Sequence, residues 1–163
     1  MRGQRKMIRR AEKKDADRLN ELLFQVQQIH AKGRPDIFKI GARKYTREEL
    51  DGILADDNRP IFVYEEGGTV KGYVFCIFQE TRETNQLHPR KTLYIDDLCV
   101  DQAERGKQIG RELYQYACSV AAENDCDSIT LNVWELNGSA RAFYEKMGLE
   151  PLKTTMEKRL NQP

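Results

Sequence analysis

Residues 93–110 read LYIDDLCVDQAERGKQIG, and this stretch decides the fold. Its first half is an apolar, strand-like run that ends at Val100, and its second half is a polar turn that contains Gly106 and Gly110. The turn opens into a helical pattern with an apolar stripe that continues to Glu123. Backbone amides at such a junction are unpaired and lie at the positive end of the helix dipole, so the junction suits a phosphate or pyrophosphate. An ordinary strand-to-helix turn with solvated charges is the alternative.

The composition describes one charged globular domain. The chain has 163 residues, of which 39% are hydrophobic and 33% are charged. The 27 Lys and Arg residues nearly cancel the 26 Asp and Glu residues, and this balance does not favour a nucleic-acid binder. No apolar run approaches the roughly 20 residues that span a bilayer. The basic beginning, MRGQRKMIRR, lacks the apolar region of a secretory signal, so we expect a cytoplasmic protein without nucleic-acid or membrane partners.

Neither the cysteines nor the histidines have the spacing of a metal site. The four cysteines contain no CxxC pair, and His30 and His88 lie far apart. Cys76 and Cys99 fall in strand-like apolar runs, and Cys118 falls in a helix-like run, where cysteine behaves as a small hydrophobic residue. We therefore expect reduced cysteines and no metal.

Hydrophobic periodicity predicts the element order β-α-α-β-β-β-α-β-α-β, a mixed α/β sheet flanked by helices. Thr46 followed by Glu49 is a capping-box signature for the second helix, and Gly67-Gly68 indicates a hairpin. Asn137 is predicted to cap the last helix, with Gly148 just beyond its end. A final strand is predicted over residues 152–158. Residues 1–6 are interpreted as an N-terminal extension or tag-like segment, and residues 7–163 as a single domain.

Two sequence motifs resemble those of the GCN5-related N-acetyltransferases (the GNAT superfamily). The segment RGKQIG, residues 105–110, is similar to the acyl-CoA loop of that family, whose pattern is Arg or Gln, two variable residues, Gly, one variable residue, then Gly or Ala. Asn137, Ala140 and FYEKMGL, residues 143–149, resemble the Asn, Ala and FYEKxGF segment that follows in the family. The predicted element order is also that of the family. The resemblance therefore implies the GNAT fold and an acetyl-CoA-dependent N-acetyltransferase.

The resemblance also implies how acetyl-CoA would be bound. The amides of residues 108–111 would hold the pyrophosphate, and the backbone of residues 98–100 would pair with the pantetheine arm like an added strand. Lys146 would reach the phosphates, with a free lysine on an exposed helix face as the alternative. Asn137 would cap its helix and also bind the pantetheine or the neighbourhood of the catalytic tyrosine. The complete set is Leu98, Cys99, Val100, Arg105, Gly106, Lys107, Gln108, Ile109, Gly110, Arg111, Asn137 and Lys146.

One position departs from the family pattern. Gln108 stands where the fourth motif position is usually glycine. A Cβ at this position narrows the space over the pyrophosphate and occupies a backbone conformation that favours glycine. The side-chain amide of Gln108 could instead donate to a phosphate oxygen.

Transfer to an amine needs a base, because most amines arrive protonated. Asp96 and Asp97 are adjacent on one strand, so we expect their side chains on opposite faces, with only one in the cleft. The string LYIDDLCV is similar to the fourth strand of the diamine and polyamine acetyltransferases, in which a glutamate at the position of Asp96 serves as base. Asp96 is therefore the candidate base or amine-binding carboxylate, and Asp97 and Glu135 are the alternatives.

Tyr144 matches the family tyrosine that returns a proton to the departing CoA thiolate, although it could also be a core aromatic. No covalent acyl-enzyme is expected, because Cys99 has no histidine beside it in sequence. The loop after the first helix falls where this family builds its acceptor lid. Arg34 and Asp36 are its candidate substrate-binding residues, and His30 is a weaker candidate base.

The favoured function is transfer of an acetyl group to a primary amine of a small molecule. A protein N-terminal or lysine acetyltransferase, and a non-catalytic acyl-CoA-binding sensor, are the alternatives. Homodimers are usual in this superfamily, so a homodimer is also predicted.

Overall fold

The computed structural model of the chain describes residues 3–161 and contains two compact units that meet between Asn132 and Val133. Two short 3-10 turns, Lys13–Asp15 and Gln102–Glu104, accompany the regular elements. The first unit contains β1 (Lys6–Arg10), α1 (Ala16–Gly33), α2 (Arg47–Leu54), β2 (Ile61–Glu66), β3 (Thr69–Thr81), β4 (Arg90–Val100), α3 (Ile109–Glu123) and β5 (Ser128–Leu131). The second unit contains α4 (Gly138–Lys146).

The five strands form one mixed sheet in the order β1-β2-β3-β4-β5. The first three pairings are antiparallel, and β4 pairs with β5 in parallel through α3, which connects them. The predicted hairpin joins β2 to β3 through Gly67 and Gly68, whose φ angles of 60° and 78° lie in the left-handed region. Glycine reaches this region without a steric penalty, which is why the turn forms here. The mixed sheet flanked by helices confirms the predicted fold class.

Helices cover both faces of the sheet. The face under α1 and α2 buries a cluster of apolar side chains: Leu19, Leu22, Leu23, Leu50, Ile53, Ile61, Val63, Tyr73, Phe75 and Cys99. On α3, Ile109, Leu113 and Ala117 recur at helical spacing and are at most 2% exposed. Each large apolar side chain buried in this way stabilises the fold by about 1.5–3 kcal/mol.

Gly72 on β3 permits a close approach of α3. A Cβ at this position would lie 2.9 Å from the carbonyl oxygen of Cys99, 3.1 Å from Leu113 Cδ1 and 3.2 Å from Ile109 Cγ2. Any side chain would push the helix and the neighbouring strand away. Gly72 therefore sets the distance between the sheet and the helix whose N-terminus faces the candidate site.

The strand β4 contains a β-bulge at Asp96. Cys76 pairs with Ile95, whereas the preceding residue of β3, Phe75, pairs with Asp97, so Asp96 is an extra residue with no partner. A bulge reverses the alternation of side chains along the strand. Consequently Ile95 packs outside the cluster that α1 covers, whereas Cys99 belongs to that cluster.

The second unit follows the predicted caps but not the predicted last strand. Asn137 Oδ1 accepts a hydrogen bond from the Ala140 amide at 3.2 Å, and Gly148 ends α4 with φ of 97°. Residues 149–159, however, carry no regular secondary structure, and the predicted strand over 152–158 was wrong. Two apolar side chains of this segment, Leu152 and Met156, are 70% and 90% exposed. Alternation alone does not make a strand without a partner for its backbone.

Candidate active site

The edge of β4 becomes free halfway along the strand. Its parallel pairing with β5 joins Thr92–Ile95 to Ser128–Leu131 and ends there, whereas its pairing with β3 continues to Val100. Within residues 3–132, the other edge of residues 96–100 has no strand partner. Unpaired N–H and C=O groups on a strand edge are a template for an extended ligand. This segment contains Leu98, Cys99 and Val100, the residues predicted to bind the pantetheine arm.

The free edge leads into a turn with two left-handed residues before α3. Gly106 has φ of 85°, and Gln108, the N-cap residue of α3, has φ of 66°. The Glu112 amide, which donates to the Gln108 carbonyl at 3.1 Å, is the first amide to donate within the helix, so the amides of residues 108–111 precede the first intrahelical donor. Side chains of Arg105, Lys107 and Gln108 are exposed around them. The turn therefore offers several backbone donors at the positive end of a helix.

The carboxylate of Glu104 forms ion pairs with two lysines beside this turn. Glu104 accepts from Lys107 Nζ at 2.6 Å and lies 3.1 Å from Lys71 Nζ. These contacts lower the pKa of Glu104, and the hydrogen bond with Glu104 raises the pKa of Lys107. Lys71 was missed by sequence reasoning, because it is the extra residue of a second bulge, between β3 and β2. The positive charge predicted for Lys107 is thus partly compensated by Glu104.

Helix α1 anchors the same turn. Arg18 pairs with Asp101 and donates to the Val70 carbonyl at 2.9 Å. The hydrogen bond from Arg18 lowers the pKa of Asp101, which also accepts from the Ala103 amide at 3.1 Å. The start of the turn is therefore fixed to α1 by a charged pair.

The bulge corrects the prediction for the two aspartates. Their side chains were expected on opposite faces, but both lie toward the α1–α2 side. Asp96 Oδ2 lies 3.3 Å from Lys44 Nζ and 3.4 Å from the Tyr45 hydroxyl, whereas Asp97 Oδ2 accepts from the Tyr73 hydroxyl at 2.8 Å. Tyr73 belongs to the cluster under α1, and Tyr45 packs against that cluster. The extra residue in the strand brings both carboxylates to one site.

The environments of the two carboxylates differ. Burial raises the pKa of Asp97, and Lys44 and the Tyr73 hydrogen bond only partly oppose this effect. The side chain of Asp96 is 25% exposed and takes part in an ion pair. A carboxylate whose pKa is raised toward neutrality is better matched to proton transfer, whereas an ionised and accessible carboxylate suits cation binding.

The buried Cys99 is not an activated nucleophile. Burial, with Asp97 close by, raises the pKa of its thiol to about 12. A thiol with such a pKa stays protonated at neutral pH and does not attack an acyl group.

The loop between α1 and α2 places an unexpected pair of residues at the aspartates. The predicted substrate-binding residues, Arg34 and Asp36, make a bidentate ion pair with each other at 2.8 and 2.7 Å. Lys44 and Tyr45, at the other end of the loop, contact Asp96. Sequence reasoning missed both, because the contact joins positions about fifty residues apart and no local motif marks it.

The second unit holds the remaining predicted residues. Glu135 forms an ion pair with Arg141 at 2.8 Å, so this alternative base is already engaged. The rings of Tyr144 and Phe143 meet edge to face with centroids 5.1 Å apart. The catalytic role of Tyr144 and the cofactor roles of Asn137 and Lys146 stay predictions.

Across residues 3–161 no three His, Cys, Asp or Glu side chains are grouped so that they could hold a metal ion. Among the helices of the same residues, none combines the length and apolar character needed to cross a membrane.

A strand edge that opens beside the N-terminus of α3, with carboxylates on the adjoining face, is the arrangement expected for the N-acetyltransferases that the sequence resembles. The family model described as "Acetyltransferase (GNAT) family" matches residues 6–149. The chain therefore belongs to the GNAT family.

Individual proteins agree with this assignment. A point mutant of the BH1408 protein from Bacillus halodurans is similar with a TM-score of 0.91 and 31% identity, covering 94% of this chain and 99% of that chain. An uncharacterized N-acetyltransferase of Methanocaldococcus jannaschii is 27% identical over 88% of this chain, which spans only 60% of the archaeal protein. An aminoglycoside N-acetyltransferase solved with CoA shares the fold, with a TM-score of 0.71 at 13% identity over 99% of this chain and 98% of that chain.

Proposed function

We propose that the chain is an acetyl-CoA-dependent N-acetyltransferase that moves an acetyl group directly to a primary amine of a small molecule. The observation that carries this proposal is the free edge of β4, which is followed, after the short 3-10 turn Gln102–Glu104, by the left-handed turn at the N-terminus of α3. An extended amide-containing arm that ends in a pyrophosphate matches these two features in the same order. The neighbour solved with CoA supports acetyl-CoA as the acyl donor.

The donor would be held mainly by the backbone. Residues 98–100 would pair with the pantetheine arm, and the amides of residues 108–111 would bind the pyrophosphate. Arg105 and Lys107 would add charge beside the phosphates. Asn137 and Lys146 are assigned to the donor by their sequence motif.

The acceptor would bind at the paired aspartates. Asp96 is proposed to bind the amine and to act as base, and Asp97 is the alternative base because burial raises its pKa. The amine nitrogen, once deprotonated, attacks the thioester carbonyl, and its lone pair forms the new C–N bond. The nitrogen then loses its second proton to solvent, the C–S bond breaks, and Tyr144 is proposed to give a proton to the departing thiolate. The high pKa of the Cys99 thiol supports direct transfer without an acyl-enzyme.

Two alternative functions predict different outcomes. A protein acetyltransferase would release CoA thiol with peptides that carry a free N-terminus or a lysine, and not with small amines. A sensor would bind acetyl-CoA and release no thiol with any amine. The resemblance of β4 to the diamine and polyamine acetyltransferases favours a small amine.

The first experiment is a thermal-unfolding scan with and without acetyl-CoA, together with a free-thiol assay over amines and peptides. A ligand at 100 times its Kd stabilises by about 2.7 kcal/mol, which for a domain of this size raises Tm by about 5–10 °C. No shift at saturating acetyl-CoA would refute the donor site.

Three variants then test the catalytic roles. Tyr144→Phe is expected to lower kcat by about 10²-fold or more while acetyl-CoA binding is unchanged. Tyr116→Phe is the matched control and should retain activity, because Tyr116 lies in α3 and its ring packs edge to face with Phe62. Asp96→Asn is expected to raise the KM for the amine, whereas a loss of kcat confined to Asp97→Asn would assign the base to Asp97.

A further inference from the structure

Lys44 occupies the position at Asp96 where the proposed function requires the amine of the acceptor. Its Nζ lies 3.3 Å from Asp96 Oδ2 and 5.4 Å from the centroid of the Tyr45 ring. The Tyr45 hydroxyl contacts the same carboxylate oxygen at 3.4 Å. A carboxylate and an aromatic face are what protein sites use to bind a primary ammonium group. The chain thus supplies its own ammonium to this site.

The charges around Lys44 keep it an ammonium. Burial opposes its charge, but Asp97 and Asp96 outweigh burial and raise its pKa. On the other side, burial and the charge of Lys44 lower the pKa of His30 and so disfavour a positive charge on this ring. Lys44 is therefore a cation that faces both carboxylates, and as an ammonium it is not itself a nucleophile.

The charge of Lys44 disfavours the binding of a simple cationic amine at Asp96. To reach Asp96 it must displace Lys44 or lie next to it, and like charges at such a distance repel. An acceptor that carries an anionic group beside its amine avoids this repulsion. Its ammonium group pairs with Asp96, and its anionic group pairs with the displaced Lys44.

We propose, on the basis of the proposed function, that Lys44 makes the acceptor site selective for amines that carry a carboxylate or phosphate group over simple cationic amines. This is a specificity role for a residue that no sequence motif marks. It opposes the preference for diamines that the resemblance of β4 suggests.

The test uses four short probes of similar length and different charge. Propylamine and 1,3-diaminopropane carry only cations, β-alanine adds a carboxylate, and O-phosphoethanolamine adds a phosphate. Binding is measured by calorimetry, and turnover is measured by thiol release from acetyl-CoA. The wild-type chain is expected to prefer one of the two anionic probes, and the preferred probe tells carboxylate from phosphate.

Lys44→Met removes the charge and keeps the apolar stem. This variant is expected to lose affinity for the preferred anionic probe by about tenfold and to gain affinity for the two cationic probes. Lys44→Arg should retain the wild-type preference. Lys39→Met, an exposed position on the same loop, is the matched control and should change neither class of probe.

The outcomes separate this inference from the proposed function. If the probes bind with the expected selectivity but no thiol is released, the proposed function fails and the role of Lys44 stands. If Lys44→Met changes cationic and anionic probes equally or not at all, the inference is overturned while the acetyltransferase assignment is unaffected. Absence of binding of every probe to every variant would also overturn it.

Discussion

Gln108 stands where the acyl-CoA motif that the sequence resembles usually has glycine, and its backbone conformation makes this difference measurable. Its φ of 66° and ψ of 15° are left-handed, and its side chain makes no capping hydrogen bond to α3. Replacing it with glycine should therefore stabilise the fold. A non-glycine residue in this conformation costs about 1–2 kcal/mol.

The net gain is smaller than this strain. Glycine gives the unfolded chain extra entropy, which offsets about 0.4–1 kcal/mol. The Gln108→Gly variant should therefore be more stable by about 0.5–1 kcal/mol, equivalent to about 1–4 °C in Tm for a domain of this size. Asparagine tolerates the left-handed region and caps helices well, so Gln108→Asn should fall between glycine and the wild type. Gln108→Ala keeps the strain and should show no gain.

The assay is urea unfolding of the four proteins at neutral pH, with the m-values compared so that changes in the denatured state are recognised. Acetyl-CoA affinity is measured on the same samples. If the Gln108 amide donates to a phosphate, the glycine variant will be more stable and yet will bind acetyl-CoA more weakly. Equal or lower stability of Gln108→Gly relative to Gln108→Ala would refute the strain argument.

Three further predictions concern the surroundings of the site. Glu104→Gln should release Lys107 and Lys71 from their ion pairs and tighten acetyl-CoA binding by about two- to fivefold at low ionic strength. A gain in affinity over the wild type that is the same at low and high salt, or no gain at all, would contradict this. Gly72→Ala should destabilise by about 1–3 kcal/mol in urea unfolding, because its Cβ would lie 2.9 Å from a carbonyl oxygen, whereas Gly52→Ala in α2, with open space around it, should not. Burial opposes the charge of Asp15, but hydrogen bonds from Arg9 outweigh it and lower its pKa. The stability that this group contributes is therefore complete above about pH 4 and is lost as the pH falls through the lowered pKa, so unfolding midpoints between pH 7 and pH 2 should fall less steeply in Asp15→Asn.

Local sequence signals predicted the elements well, because each of them depends on neighbouring residues. The capping box of Thr46 and Glu49, the Gly67-Gly68 hairpin and the Asn137 cap are all present. The predicted strand over 152–158 failed because a strand also needs a partner, and nothing local supplies one. The family assignment came from the turn and the α4 motif, which lie in short continuous segments.

The acceptor side of the site could not be predicted in the same way. The contact of Lys44 with Asp96 depends on how a loop folds over a strand some fifty residues further on. The bulge that brings Asp96 and Asp97 to one face is equally invisible, since it appears only in the register with Phe75 and Cys76. The sequence predicted strict alternation of side chains along the strand, and this prediction was wrong at Asp96, which has no partner on β3.

That extra residue also determines which change in the length of β4 the fold can accommodate. Deleting Asp96 would leave the pairs Cys76–Ile95 and Phe75–Asp97 in place, so Ile95 and Cys99 would stay on their present faces and only the carboxylate would be lost. Deleting Leu98 instead would shift the end of the strand by one position and turn Cys99 to the opposite face. Diversification of the acceptor site should therefore proceed by exchange of side chains, by changes in the loop of residues 34–46 and by loss of the extra residue itself, with the paired residues of β4 kept constant in number.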